Sequence, residues 1–286
     1  MKNKILPLLG LALALASCQR VETSKTIYTS FYPIYEFTKR IVGDKYEVVN
    51  ITPVGAEPHD FEPSAKDVAG FSSGAALFLN GLGMEHWTDK LPKEVADKAH
   101  VVTGGIEVQK INGVNDPHVW LSIPNAIKEM GNILSVMKGL DPANASYFQT
   151  NYEAAAKEFA SLDQEYRPLL QQRKNKYLAV SHAAFGYLCK EYSLEQLYVS
   201  GLTPDDEPTA KDMEGLVKQV KDHNITTIFF EELASPAISK KIAEETGAKT
   251  DTLNPLEGLT KEELKSENYI TVMKDNFKKI LEADNR

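Results

Sequence analysis

The sequence is poor in cysteine: Cys18 and Cys189 are the only two in 286 residues. That excludes a disulfide scaffold and a cysteine zinc cluster. It also lacks an excess of basic charge. Lys and Arg total 32 against 40 Asp and Glu, a formal net charge of −8. A nucleic-acid or membrane-surface binder needs the opposite sign, because its affinity comes from neutralising phosphates. A bilayer-spanning apolar run is missing too; Ile5 to Ala16 covers about 12 residues, where a span needs about 20. No His-Glu-x-x-His pair of the zinc-hydrolase type occurs. What remains, 42% hydrophobic and 25% charged, is the balance of a soluble globule. The length suits two α/β lobes better than one simple domain.

The first 17 residues read as a leader, not as part of the fold. Lys2 and Lys4 make a basic start, Ile5 to Ala16 an apolar core, and Leu15-Ala16-Ser17-Cys18 a tetrad like the bacterial lipobox. Cys18 is then a lipidation site, and its acyl chains anchor the protein stably in a bacterial membrane, each buried methylene contributing about 0.8 kcal/mol. Cleavage removes two lysines and takes the net charge from −8 to −10. Residues 18–24 form a lipidated polar tether. Cys189, in an apolar helical stretch, reads as a buried, inert thiol.

From residue 25 onward, short β-rich runs alternate with amphipathic segments. Strands are expected at 26–30, 46–51, 75–80 and 100–103, and again at 177–181, 196–199, 227–231 and 249–253. A first helix through Ile34, Phe37 and Ile41 stops at Gly43, Ser64 caps a second, and Ser122 followed by Pro124 opens another. Residues 141–174 contain no glycine and, beyond Pro142 at the start, one late proline, Pro168. With Tyr147, Tyr152, Phe159, Leu162 and Tyr166 as a broken apolar stripe, they read as one long bridging helix. Later helices are expected at 184–191, 209–223, 235–246 and 261–283. The resulting fold class is α/β: two lobes, each with a central, mainly parallel sheet flanked by helices, joined by one long backbone helix. The N-terminal lobe spans 25–140, the linking helix 141–175 and the C-terminal lobe 176–286.

Ligands of such sheets gather outside the carboxyl ends of the strands. Three of the six histidines lie in loops close to predicted strand ends or helix starts. His59 sits in the proline-bracketed loop Glu57-Pro58-His59-Asp60-Phe61-Glu62-Pro63, His118 in Asp116-Pro117-His118-Val119-Trp120, and His182 directly after a strand. Pro58 and Pro117 fix the backbone beside two of them, which suits a donor that must be placed accurately. Glu257, in Asn254-Pro255-Leu256-Glu257, follows the last strand and suggests a fourth donor. Three imidazoles and a carboxylate favour Zn(II) over the oxygen-only shells of calcium or magnesium. Asp60, Asp116 and Glu231 are candidates to hold the imidazoles in one tautomer. His86, His100 and His223 read as ordinary helix, strand and helix-end residues.

These motifs, in this order, resemble the zinc/manganese class of ABC-transporter substrate-binding proteins, the ZnuA/TroA-like family. The resemblance covers nearly the whole chain after the leader. It is carried also by Phe31-Tyr32-Pro33-Ile34, Asn80-Gly81-Leu82-Gly83-Met84-Glu85 and Ser181-His182-Ala183-Ala184-Phe185. It implies metal ligation by His59, His118, His182 and Glu257 between two lobes joined by a helix. Histidine at 182 follows the zinc pattern, since manganese members tend to carry a carboxylate there. One departure concerns the His/Asp-rich insertion of many zinc members: residues 87–116 hold only His100.

The implied function is an extracytoplasmic, lipid-anchored, monomeric zinc receptor rather than an enzyme. It would hand its ion to an ABC-type metal permease and its ATPase, with local loop rearrangement rather than a wide hinge. The rival readings are a Mn(II) receptor, a surface adhesin with bound metal, and a zinc-dependent hydrolase with an open metal position.

Overall fold

The computed structural model describes residues 24–204, 208–231 and 237–283. The expected leader, the Cys18 lipidation site and the tether up to residue 23 lie outside these described residues. The N-terminal sheet starts with β1 (Thr26–Thr29), whose alternate side chains are buried. The chain then crosses into α1 (Tyr32–Val42), with Pro33 in its first turn and Ile34, Phe37 and Ile41 buried. It ends at Gly43, whose φ of 56° is one that glycine adopts without strain. After β2 (Glu47–Asn50), Ser64 caps α2 (Ala65–Ser73) reciprocally with Asp67: the Asp67 N–H donates to Ser64 Oγ over 3.3 Å and the Ser64 N–H to Asp67 Oδ2 over 2.8 Å. The fully buried β3 (Ala76–Leu79), the short α3 (Lys93–Ala96) and β4 (Ala99–Val101) complete the sheet. Its order is β2-β1-β3-β4, parallel throughout.

A small hairpin, β5 (Lys110–Ile111) and β6 (Val114–Asn115), follows. The strand expectations did not include it. Its turn is Asn112-Gly113, both with positive φ (52° and 85°), the combination that two-residue hairpins favour. Ser122 then caps α4 (Ile123–Leu140). The long helix is α5 (Ala145–Gln171), 27 residues, or about 40 Å. It starts later than the expected 141, because Pro142–Asn144 forms a separate 3-10 turn. Its buried stripe is Phe148, Ala155, Phe159, Leu162, Tyr166 and Leu170. Tyr147 lies outside it, 36% exposed.

The C-terminal sheet contains β7 (Tyr177–His182), β8 (Glu195–Ser200), β9 (Thr227–Phe230) and β10 (Lys249–Thr252), in the parallel order β10-β9-β7-β8. Around it lie α6 (Gly186–Glu191), α7 (Ala210–Asp222) and α8 (Ala237–Thr246). The last expected helix, 261–283, is instead a 3-10 turn at Glu263–Lys265 followed by α9 (Tyr269–Glu282). Asn268 interrupts it: its side chain accepts from the Ile270 and Thr271 N–H groups and starts a new helix. Phe159 on α5 stacks on Tyr269 at 4.6 Å, and Phe37 on α1 meets both rings. One buried apolar cluster therefore runs from Ile27 in the first sheet through Phe159 to Phe229 and Phe277.

Candidate metal centre

Each sheet aims its strand ends at one place. His59 lies on the loop after β2, His118 immediately before a buried 3-10 turn (Val119–Leu121), His182 at the end of β7 and Glu257 beyond β10. His182 is the last residue of its strand rather than the first after it. These four residues, far apart in the chain, offer donor atoms that all lie within 4.8 Å of one another. His118 and His182 are fully buried, Glu257 is 3% exposed and His59 is partly exposed. His59 Nε2 is 3.3 Å from His118 Nε2 and 3.4 Å from Glu257 Oε1. His182 Nε2 is 3.4 Å from His118 Nε2 and 3.5 Å from Glu257 Oε1, and His118 Nε2 is 2.9 Å from Glu257 Oε1. Zinc bonds of about 2.0–2.1 Å give a tetrahedron with edges of about 3.3–3.4 Å. Four of these five separations fall within about 0.2 Å of that edge, the sixth pair, His59 and His182, lies within 4.8 Å, and the four residues could hold one such ion.

Two of the imidazoles are oriented from behind. His118 Nδ1 lies 2.7 Å from Asp116 Oδ1, and His182 Nδ1 bonds to Glu231. A carboxylate at Nδ1 places the proton there and frees the Nε2 lone pair for a cation. Asp116 and Glu231 thus lie hydrogen-bonded to imidazoles, whereas Asp60 is exposed, with no hydrogen bond to an imidazole among the described residues. Burial opposes a charge on both rings, but Asp116 and Glu257 raise the pKa of His118, and Glu231 and Glu257 hold His182 well above the ordinary histidine value. Burial alone would raise Glu257; the surrounding His182, His118 and His59 keep it well below the usual carboxylate range.

Glu57 was not singled out by the sequence. One of its carboxylate oxygens accepts from the His59 N–H over 3.1 Å. Burial, with the nearby Glu257 charge, pushes it up to about 8. Its proximity to the site depends on a loop meeting a residue 200 positions away, and no local pattern announces that. Glu257 also lines a groove of about 340 Å³ with Tyr32, Pro53, Val54 and Leu264. The other histidines stay outside the cluster: His100 lies within β4 against Phe78, His223 stacks on Tyr177 at 3.7 Å, and His86 is exposed. Cys189 is buried, and burial pushes its thiol up.

Two parallel-sheet lobes, a long helix between them and a buried three-histidine, one-carboxylate cluster at the facing strand ends define a substrate-binding protein for a metal ion. The chain matches the family described as zinc-uptake complex component A, periplasmic, over residues 27–283, and it belongs to that family. It is 38% identical over 271 residues to the high-affinity zinc uptake system protein ZnuA of Bacillus subtilis, covering 88% of this chain and 85% of that protein. It is 39% identical over 290 residues to the zinc-binding lipoprotein AdcA of Streptococcus pneumoniae, covering 93% of this chain but 58% of AdcA. Among solved structures, the Zn(II)-bound ZnuA-like domain of S. pneumoniae AdcA superposes with a TM-score of 0.81 at 39% identity, covering 92% of this chain and 100% of that one. The laminin-binding protein Lmb of Streptococcus agalactiae gives 0.85 at 31% identity, covering 91% and 100%.

Proposed function

We propose that this chain is the extracytoplasmic receptor of an ABC importer for Zn(II), with His59, His118 and His182 through Nε2 and Glu257 through its carboxylate as the donors. The observation that carries the assignment is the gathering of four donor atoms within 4.8 Å of one another, five of their six separations falling between 2.9 and 3.5 Å. Three lone-pair nitrogens and a carboxylate brought this close repel one another unless a cation or protons sit between them. Relatives named for zinc uptake and zinc binding support zinc as the cargo. With Glu257 as fourth donor no position stays open for an activated water, which favours transport over hydrolysis.

The proposed route runs from capture between the lobes to a membrane permease driven by a cytoplasmic ATPase. No helix among the described residues is long and apolar enough to cross a membrane, and attachment through acylated Cys18 would keep the receptor beside the permease. Glu231 and Asp116 act by holding two rings in the metal-accepting tautomer. Metal analysis of the purified protein should give one zinc per chain, and competitive titration should rank Zn(II) above Mn(II) and Fe(II). A stoichiometric preference for manganese would overturn the assignment. The likeness to a laminin-binding protein described as bifunctional, with adhesin and metal-transporting activity, supports adhesion as a second role. Direct laminin binding by the zinc-loaded protein tests it.

A further inference from the structure

The turn that delivers Glu257 is strained. Leu256, fully buried, has φ of 62°, a left-handed conformation that a bulky side chain adopts only when its surroundings enforce it. Part of the enforcement is local. The Leu256 N–H donates to Asn254 Oδ1 over 2.8 Å, the Asn254 N–H donates to Asn276 Oδ1 over 2.9 Å, and Asn276 Nδ2 donates back to the Asn254 carbonyl over 2.7 Å. A further bond comes from the other lobe: Trp120 Nε1 donates to the Pro255 carbonyl over 2.7 Å, wholly buried. We propose that Trp120 is a positioning residue for the metal centre, its indole N–H holding the strained Asn254–Glu257 turn so that the Glu257 carboxylate meets the three imidazoles. This rests on Glu257 being a zinc donor.

Trp120 is suited to the task because it is itself fixed. Its ring is fully buried and stands edge-on to Phe31, with centroids 4.8 Å apart at 70°. Its carbonyl accepts from the Tyr269 hydroxyl over 2.5 Å, and the Tyr269 N–H donates to Glu36 on α1 over 2.8 Å. Trp120 also lies two residues beyond His118, whose ring centroid is 5.3 Å away. The tie is made two residues before Glu257 and two residues after His118, so it fixes one donor relative to the other across the interlobe boundary. A buried indole N–H has few alternatives to such an acceptor, and geometry at this distance from a metal commonly sets affinity by about 10–100-fold.

Trp120→Phe keeps most of the ring and removes the N–H. The expected result is zinc dissociation into excess chelator faster by about tenfold or more, with a weakened and shifted visible spectrum of the cobalt(II)-loaded protein. The double variant Trp120→Phe/Glu257→Gln should release zinc no faster than Glu257→Gln alone, because the tie acts through that carboxylate. A purely structural role would lower the thermal midpoint, leave the cobalt spectrum unchanged and make the two substitutions additive; that pattern overturns the proposal. Tyr269→Phe, which loosens Trp120 without touching its ring, should shift dissociation in the same direction, and supplies the reading if Trp120→Phe does not fold. If Glu257→Gln neither speeds zinc release nor weakens binding, the donor assignment fails and the tie with it. If Glu257→Gln weakens binding while Trp120→Phe matches the parent protein, the tie alone fails.

Discussion

At His118 and His182 the two ring nitrogens have separate tasks. Nδ1 is held by Asp116 or Glu231, and Nε2 faces the other donors. Removing the brace should therefore act on affinity without deleting a donor. Asp116→Asn is expected to weaken zinc binding by about 10–100-fold, His118→Ala by more, and His223→Ala, outside the cluster, not at all; isothermal titration against a competing chelator measures all three. The pH dependence follows from the raised histidines. Without zinc, His118 and His182 keep protons at pH values where a free imidazole, with a pKa of about 6.5, loses them. Zinc must displace those protons, so its apparent affinity falls in acid and binding near neutral pH releases protons into a weakly buffered, indicator-containing solution. Stability runs the other way: a folded pKa above the unfolded one contributes stability fully present below about 6.5 and lost as pH rises through the folded value. The zinc-free protein should thus lose thermal stability on alkalinisation through that window. At this scale the sequence was informative where a residue's chemistry coincided with its place in a loop beside a strand end or helix start, as for the four candidate donors. It was silent on Trp120, whose contact with Pro255 joins residues 135 positions apart.

At the scale of elements, α4 carries a defect worth testing. Glu129 is fully buried, neither carboxylate oxygen has a hydrogen-bond partner, and burial, with the Glu85 charge nearby, raises its pKa well above the ordinary value. An acid whose folded pKa exceeds its unfolded one binds more protons when folded, so stability falls as pH rises between the two values. Glu129→Met should stabilise the protein by about 1–3 kcal/mol near neutral pH, less toward pH 4, as read from urea unfolding at both pH values; equal gains at both would remove the titration argument. Periodicity identified the strands of both sheets to within about two residues, because β3 and β7 are apolar runs bounded by polar turns. It failed at the β5–β6 hairpin, where two-residue strands are too short for any period even though Asn112-Gly113 marks the turn. It also failed at α9, where helix-forming residues run on from Lys261 and only Asn268 stops them.

For the whole molecule, the question is how two lobes release an ion held between them. A wide hinge would have to separate Trp120 from Pro255 and Tyr269 from Glu36. It would also separate the Tyr187 hydroxyl from the Asp116 carbonyl, now 3.0 Å away. It would cut the apolar cluster through Phe37, Phe159 and Tyr269 as well, exposing buried aromatic area at roughly 25 cal/mol per Å². The α5 helix, packed along both α1 and α9, gives no flexible joint of the kind a hinge uses. The loop carrying His59 is built differently. That histidine is the least buried member of the cluster, Pro53 to Gly55 at the start of its loop are exposed, and among the described residues no carboxylate is hydrogen-bonded to its Nδ1. Movement is therefore expected at residues 53–63, with His118, His182 and Glu257 remaining as a fixed platform. Small-angle scattering should give radii of gyration for the zinc-free and zinc-loaded protein within about 1 Å of each other. Hydrogen exchange should slow on zinc binding mainly in residues 53–63. A larger contraction, or new protection spread along α5, would mean that the lobes move as rigid bodies and that the interlobe bonds are broken and remade in each transport cycle.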